Sequence, residues 1–351
     1  MVGRILELTK PGLSVHKRRG FLAVDTNDGE AGRIAFDDLE AVLVASPGMV
    51  WSNSALAELA ARQVPVMVLG QDFNPVAVVL PLNGHFQQAH RIRAQADASL
   101  PFRKQAWATL VRHKITAQAE ALERVNEPSE RLRRLATAVR SGDPDNREAQ
   151  AAQAYWPLMM DKAFRRDRLA SGANALLNYG YAVLRAATAR AIVSAGLHPS
   201  LSVHHRSGGN ALALADDLME PFRPTVDLIV RGLCAEGITE VTEARGALVA
   251  SLAADFPTPQ GASPLSQVLV RLAQSLAQSC ESGKMRSSFR TGQSPWQPTG
   301  KTMSDTGFKQ LSGYRIMWVW VLFDLPVLTS AERKRATRFR NDLLDLGFEM
   351  V

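Results

Sequence analysis

Cysteine is nearly absent from this chain: Cys234 and Cys280 are the only two among 351 residues, and they form no CxxC pair. That argues against a cysteine-built zinc site or a disulfide framework and makes a reducing compartment the default. Long apolar runs are also missing, since none approaches the roughly 18 residues that a membrane span requires. The start, MVGRILELTK, lacks the apolar stretch of a signal peptide. No internal repeat stands out. These absences predict a soluble cytoplasmic protein with no membrane role.

What is present reads as globular, with 46% hydrophobic and 21% charged residues in a length suited to roughly two domains. Lys and Arg number 41 against 34 Asp and Glu, a net charge of +7. An excess of that size is compatible with a nucleic-acid or phosphate partner without requiring one.

Along the chain the hydrophobic period changes once. Residues 4–45 hold short apolar pieces (RILEL, LSV, GFLAV, RIAF, EAVLVA) separated by turn clusters in which Gly20, Gly29 and Gly32 can take positive φ. They predict a run of hairpins. Ser52 or Ser54 caps a helix to about Arg62, and strands return at 64–70 and 74–81. Beyond residue 90 the strands stop, and 88–97, 101–125, 129–140, 147–166, 172–196, 211–220, 224–235, 240–254 and 262–282 read as helices. GKMRSSFRTGQSPWQPTGKT (283–302) is rich in Gly, Ser, Pro and basic residues and reads as a linker. The fold class is α+β: a small β-rich N-terminal domain, 1–85, then a larger all-helical domain, 86–285, a linker over 286–302, and a C-terminal segment, 303–351.

Chemistry concentrates in SVHHRSGGNALALADDLMEPFRP, residues 202–224. Asp217 and Glu220 are three apart and share one helical face. Pro221 lacks the N–H that the Asp217 carbonyl would accept, so the helix kinks or restarts just past the acids. A solvated acidic turn beside an unrelated histidine pair satisfies the same spacing. Upstream, REAQAAQAYWPLM puts Glu148, Ala151, Ala152 and Tyr155 on one stripe, with the glutamate as its only charge. A carboxylate pointing into a helical bundle needs a cationic partner or a metal. Glu148, His205 and Glu220 together offer two carboxylates and an imidazole, with Asp217 nearby, a donor set suited to Mn²⁺ or Mg²⁺. In a basic protein such a site suggests phosphodiester chemistry on nucleic acid.

PLNGHFQQAHRIRAQ (81–95), ANALLNYGYAVLRAATARAIVSAGLHP (173–199) and HHRSGGNALALADDLMEPFRP (204–224) resemble the CRISPR-associated adaptation integrases, the larger of the two universal spacer-acquisition proteins, over about residues 4–290. The HHR and ADDLMEPFRP segments most resemble members from type II systems. The resemblance implies that Glu148, His205 and Glu220 are metal ligands and catalytic residues, with Asp217, Tyr179 and Arg223 near the site and Tyr181 on the same helix. An aromatic there would stack on a base or position a phosphate, although core packing accounts for both tyrosines equally. Arg206 and Arg223 are placed to meet a phosphate or neutralise the carboxylates, and His204 matches no ligand position.

The resemblance also implies Mg²⁺ or Mn²⁺ as cofactor and a homodimer paired through the N-terminal domain. A small ferredoxin-like partner and double-stranded DNA with single-stranded 3′ ends complete the assembly. The implied reaction joins a DNA 3′-hydroxyl to a phosphodiester at the edge of a repeat. A metal-dependent nuclease without an integrase role would use the same ligands, and a non-catalytic DNA-binding scaffold would tolerate their loss. Arg91, Arg93, Arg103, Lys104 and Arg112, with His90 and Lys114, form either a channel for the DNA backbone or a solvated helical face.

Residues 303–351 resemble the start of the small partner. WVWVLFDLP reads as a buried strand, and Thr329 with Glu332 forms a capping box for the helix that follows. The expectation is a truncated start of a ferredoxin-like domain, from a truncated or read-through junction, with a natural fusion as the rival reading.

Overall fold

The computed structural model describes residues 4–70, 75–82, 84–205, 209–250, 255–258, 261–286 and 289. Arg206, nearly all of the expected linker and the segment 303–351 lie outside the described residues.

Two four-stranded sheets form the N-terminal part. The first has the order β1 (Arg4–Leu8), β5 (Leu39–Val44), β7 (Val66–Leu69), β8 (Pro75–Val79). Its β1–β5 and β5–β7 pairs are parallel, and β7–β8 is antiparallel. The second has the order β4 (Gly29–Ala35), β3 (Phe21–Thr26), β2 (Ser14–Arg18), β6 (Val50–Trp51). The expected run of hairpins therefore holds only for β2–β3–β4. The central strand β5, LEAVLV, is apolar enough to be buried on both faces, which is the signature of a parallel position rather than of a hairpin arm. Gly20 and Gly29 take positive φ in the turns, whereas Gly32 lies within β4 in extended backbone. Ser52 caps α1 (Asn53–Ala61) by accepting the Ala55 N–H.

The period of two along β5 divides its side chains between two cores. Val42 and Val44 pack with Val15, Leu22 and Leu59 between the sheets and α1, joined by Leu39, which lies ahead of the register shift in the β1–β5 pairing. Ala41 and Leu43, with Met67 of β7, join the core of the helices. Those helices are α2 (Gln88–Ala96), α3 (Leu100–Arg124), α4 (Glu130–Thr137), α5 (Arg147–Met159), α6 (Ala173–Ser194), α7 (Ala213–Met219), α8 (Arg223–Ala235), α9 (Val241–Ala250) and α10 (Leu265–Ser282). Of the 22 residues of α6, 17 are buried, so it is the central helix, packed on nearly every side. Gly180 sits where a Cβ would come within 2.4 Å of Val226, so α6 and α8 touch through a residue with no side chain.

Two expectations fail here. The helical part is not all helical, because β9 (Asp255–Thr258) and β10 (Gly261–Pro264) form an antiparallel pair ahead of α10. Ser263 precedes a proline, which disfavours helical backbone, so α10 starts at Leu265 rather than 262. Helix α5 stops at Met159 instead of 166. Pro157 removes a helical donor near its end, and Asp161 then accepts the backbone N–H groups of Ala163 and Phe164, each at 2.7 Å, turning the chain. The loop that results carries Arg166 and Arg168 back toward α6.

Candidate active site

The start of α5 is tied down by side chains. Asp143 accepts the backbone N–H groups of Arg147 (2.8 Å) and Glu148 (3.0 Å), and Asn146, left-handed at φ 52°, accepts that of Ala149 (3.3 Å). Glu148 thus occupies the first helical turn, where the helix dipole favours a carboxylate. Opposite, α3 delivers Lys114, whose Nζ lies 2.6 Å from Glu148 Oε1 and 2.6 Å from Glu220 Oε2. Glu220 opens a 3-10 turn, Glu220–Phe222, where Pro221 ends α7 as its missing N–H predicts. Arg223 Nε stands 3.0 Å from Glu220 Oε1. Burial pushes the Glu220 carboxyl up, but Arg223 and Lys114 outweigh it and hold the group below the usual carboxylate range.

The three acids of residues 202–224 have separate partners. Asp217 is wholly buried, and its Oδ2 accepts the backbone N–H groups of Val203 (2.7 Å) and His204 (2.9 Å). Its Oδ1 lies 2.5 Å from His205 Nδ1. That hydrogen bond raises the His205 imidazole above its ordinary value despite partial burial, and leaves Nε2 as the ring's available ligand atom. Trp107 supports both histidines, stacked on His204 with centroids 4.2 Å apart and edge-on to His205 at 5.4 Å. Asp216 turns the other way, to Arg185 Nη2 at 2.5 Å.

Behind Glu220 lies a buried polar layer. The Arg223 guanidinium sits 4.6 Å from the Tyr181 ring centroid, and the Tyr181 hydroxyl donates to Asp227 Oδ1 at 2.5 Å. The Tyr155 hydroxyl donates to Asp227 Oδ2 at 2.9 Å. Burial pushes the Asp227 carboxyl up to about 6, against the lowering effect of both hydroxyls. Arg166 is held by Asn174 (2.9 Å) and Asn178 (2.6 Å), and its guanidinium lies 5.6 Å from the Tyr181 ring.

Two adjoining cavities open on this layer. One, of about 270 Å³, is lined by Lys114, Glu148, Trp156, His205 and Glu220. The other, of about 310 Å³, is lined by Arg185, Asn210, Asp216, His205 and Glu220. Arg166, Arg168, Tyr181 and Arg223 line both. Glu148, His205 and Glu220, separated by up to 72 residues in sequence (220 − 148), therefore face one space.

Several expected site residues lie elsewhere. Tyr179 is buried on the opposite side of α6 from Tyr181, where burial and Glu7 of β1 push its hydroxyl well above the usual range. It is not near the site, because two helical residues differ by about 200° in direction. Arg91 is buried, bonded to Glu281 (3.1 Å) and to the Ala195 carbonyl (2.9 Å), so it is a packing residue rather than a phosphate contact. Arg112 donates to the Val139 carbonyl at 3.0 Å. Arg103 is half-buried, while Arg93 and Lys104 are exposed. Lys114, expected in a DNA channel, is instead the link between two acids. Val111, Ile115 and Gln118 are buried on its stripe of α3, and a lone lysine among them was the available signal. Arg166 falls at the end of the helix expected over 147–166, and Arg168 in the gap before the next, where no period marks either as a site residue.

Among the described residues, no group of three His, Cys, Asp or Glu side chains is drawn close enough to hold a metal ion. Lys114 stands between the two carboxylates, and His205 is turned to Asp217. The donor chemistry nonetheless fits a hard divalent cation. Glu148 and Glu220 present carboxylate oxygens, and His205 an imidazole, to one cavity.

The Neisseria meningitidis protein called CRISPR-associated endonuclease Cas1 is 36% identical over 227 residues, 64% of this chain and 73% of its own length. A separate similarity falls on the C-terminal segment: a CRISPR-associated endoribonuclease Cas2 of Paracidovorax avenae is 70% identical over 40 residues, 11% of this chain and 37% of that protein. In fold, the chain resembles a casposase bound to its integration product, with a TM-score of 0.70 at 21% identity over 82% of this chain and 93% of that one. It also resembles a chain of a Cas6-RT-Cas1–Cas2 complex, with a TM-score of 0.67 at 20% identity over 82% of this chain and 36% of that one. The family model described as CRISPR associated protein Cas1 matches residues 6–248, and with that span the chain belongs to the Cas1 family.

Proposed function

We propose that this protein is a DNA endonuclease and integrase that inserts short foreign DNA fragments at CRISPR repeats. One observation carries the reading: Glu148, His205 and Glu220 face a common cavity whose walls are shared by Arg166, Arg168 and Arg223. Glu148, Glu220 and His205 Nε2 would hold Mg²⁺ or Mn²⁺, which when bound supplies a Lewis acid for a phosphodiester and lowers the pKa of a coordinated hydroxyl. Asp217 holds His205 in one tautomer and orientation. Arg223, stacked on Tyr181, fixes the Glu220 carboxylate. Arg168, exposed at the rim, and Arg166, held by two asparagines, receive the negative charge of the DNA backbone.

In the reaction, the 3′-oxygen of the incoming fragment forms a bond to phosphorus, and the bond from phosphorus to the 3′-oxygen of the acceptor strand breaks. The proton lost by the first hydroxyl is matched by one gained by the second, so no net oxidation or covalent enzyme intermediate is involved. A cavity with two lobes meeting at Glu220 and His205 suits two DNA segments at one phosphate.

The assembly reading divides the chain into an N-terminal dimerisation domain, 1–85, and a helical catalytic domain, 86–285. A homodimer is supported by β8, an edge strand that exposes Val76, followed by exposed Leu82 and Phe86. A small ferredoxin-like Cas2 protein as partner is supported by the Cas2 similarity of the C-terminal segment, which we read as the first part of such a domain. The test is a half-site assay with a labelled fragment, a repeat-bearing plasmid, Mn²⁺ and the small partner. Joined product is expected. Cleavage of the plasmid with no joined product would favour the nuclease without an integrase role.

A further inference from the structure

Lys114 links the two glutamates of the site. Its stem runs along the buried stripe of α3 with Val111, Ile115 and Gln118, and only its end reaches the cavity. The ammonium donates to Glu148 Oε1 at 2.6 Å and forms an ion pair with Glu220 Oε2 at 2.6 Å. It therefore stands at the point from which one cation reaches both carboxylates. The local charge is already balanced, since Glu148 and Glu220 are met by Lys114 and Arg223. A divalent ion added to that set would leave two surplus positive charges in a mostly buried space, a costly arrangement. A lysine ammonium is a compact charge on a flexible four-carbon stem and can withdraw without moving its helix.

We infer that Lys114 is a built-in stand-in for the divalent metal: it holds Glu148 and Glu220 together in the metal-free protein and is displaced from between them when the metal binds. This rests on the reading of Glu148 and Glu220 as metal ligands. It explains why two acids from distant elements stay paired without an ion, and why no three-ligand cluster is closed while the ammonium is there. Metal affinity is then the difference between binding the ion and releasing the lysine, which makes the site weaker for metal than its ligands alone would be.

The test is Mn²⁺ binding to the full chain, read as loss of the free-ion paramagnetic resonance signal, with thermal unfolding measured in chelator and in Mn²⁺. The variants are K114M, K114Q, E148Q and E220Q. K114M should bind Mn²⁺ about tenfold tighter or more than the wild type. Its unfolding temperature in chelator should fall, and the rise produced by Mn²⁺ should exceed that of the wild type. K114Q, which keeps length and polarity, should show the same direction and serves if K114M does not fold. E148Q and E220Q should lose the binding. If these two lose it while K114M and K114Q bind as the wild type does, or more weakly, the stand-in role is wrong and the metal site stands. If wild-type binding is indifferent to E148Q and E220Q, the metal reading fails and takes the inference with it.

Discussion

Helix α6 carries, on opposite sides, two tyrosines that each join a carboxylate and an arginine from other elements. Toward the sheets, Tyr179 meets Glu7 of β1, and Arg245 of α9 lies 3.3 Å from the same carboxylate. Toward the cavities, Tyr181 meets Asp227, with Arg223 stacked on its ring. The first set joins strand to helix, and its charges are used up among themselves. The second passes its arginine on to Glu220, which is shared with Lys114 and opens on the cavity. Residue type does not separate a joint from a site. What separates them is whether the charged ends face a cavity, as Glu220 does.

Breaking the two sets should give opposite signatures. E220Q should reduce DNA joining by about 10³-fold or more, since it removes a group from the reacting centre. E7Q should lower the unfolding temperature by a few degrees and leave the joining rate per folded molecule unchanged, which a rate normalised to active protein would read. Next in size is D217N. With one carboxylate oxygen replaced by an amide, the His205 Nδ1 loses its acceptor and the ring its orientation, and metal affinity and joining should each fall about ten- to hundredfold.

The paired substitution R166A and R168A sharpens the comparison on the substrate side. It should weaken DNA binding and reduce the slope of log affinity against log salt by about two, with Mn²⁺ affinity unchanged. R91A should leave that slope alone and lower stability, because its guanidinium serves Glu281 and a helix-end carbonyl.

The smallest effect expected is in the pH dependence of stability. The Asp227 carboxyl is raised to about 6 in the folded protein, from about 3.9 unfolded. Its proton thus stabilises the fold fully below about pH 4, and this contribution is lost as pH rises through about 6. The difference in unfolding free energy between wild type and D227N should fall over that window, by at most about 3 kcal/mol, and be flat above it. A difference independent of pH from 4 to 7 would show that Asp227 does not titrate there.

The sequence showed the chemistry of this site better than its wiring. Glu148, a lone charge on an apolar stripe, and Glu220, ahead of a helix-ending proline, are local signals that survive folding. The roles of Asp217 and Lys114 depend on which neighbour arrives from a distant element, and no spacing encodes that. The two tyrosines illustrate the limit: LNYGY places both on α6, but only packing decides which faces the sheets. In the fold, helices were legible from their period, whereas parallel pairing of β1 with β5 was not, because a short apolar strand reads the same in a hairpin or a parallel sheet. The β9–β10 pair was missed for a related reason, four-residue strands beside prolines carrying almost no periodic signal.

The most direct measurement compares two properties of one variant, E148A/H205A/E220A, in full-length protein: affinity for fragment DNA and strand joining to a repeat. The account predicts affinity within about threefold of wild type, since backbone contacts supply most of it, and no detectable joining. Joining at the wild-type rate by that variant would contradict the assignment of the site.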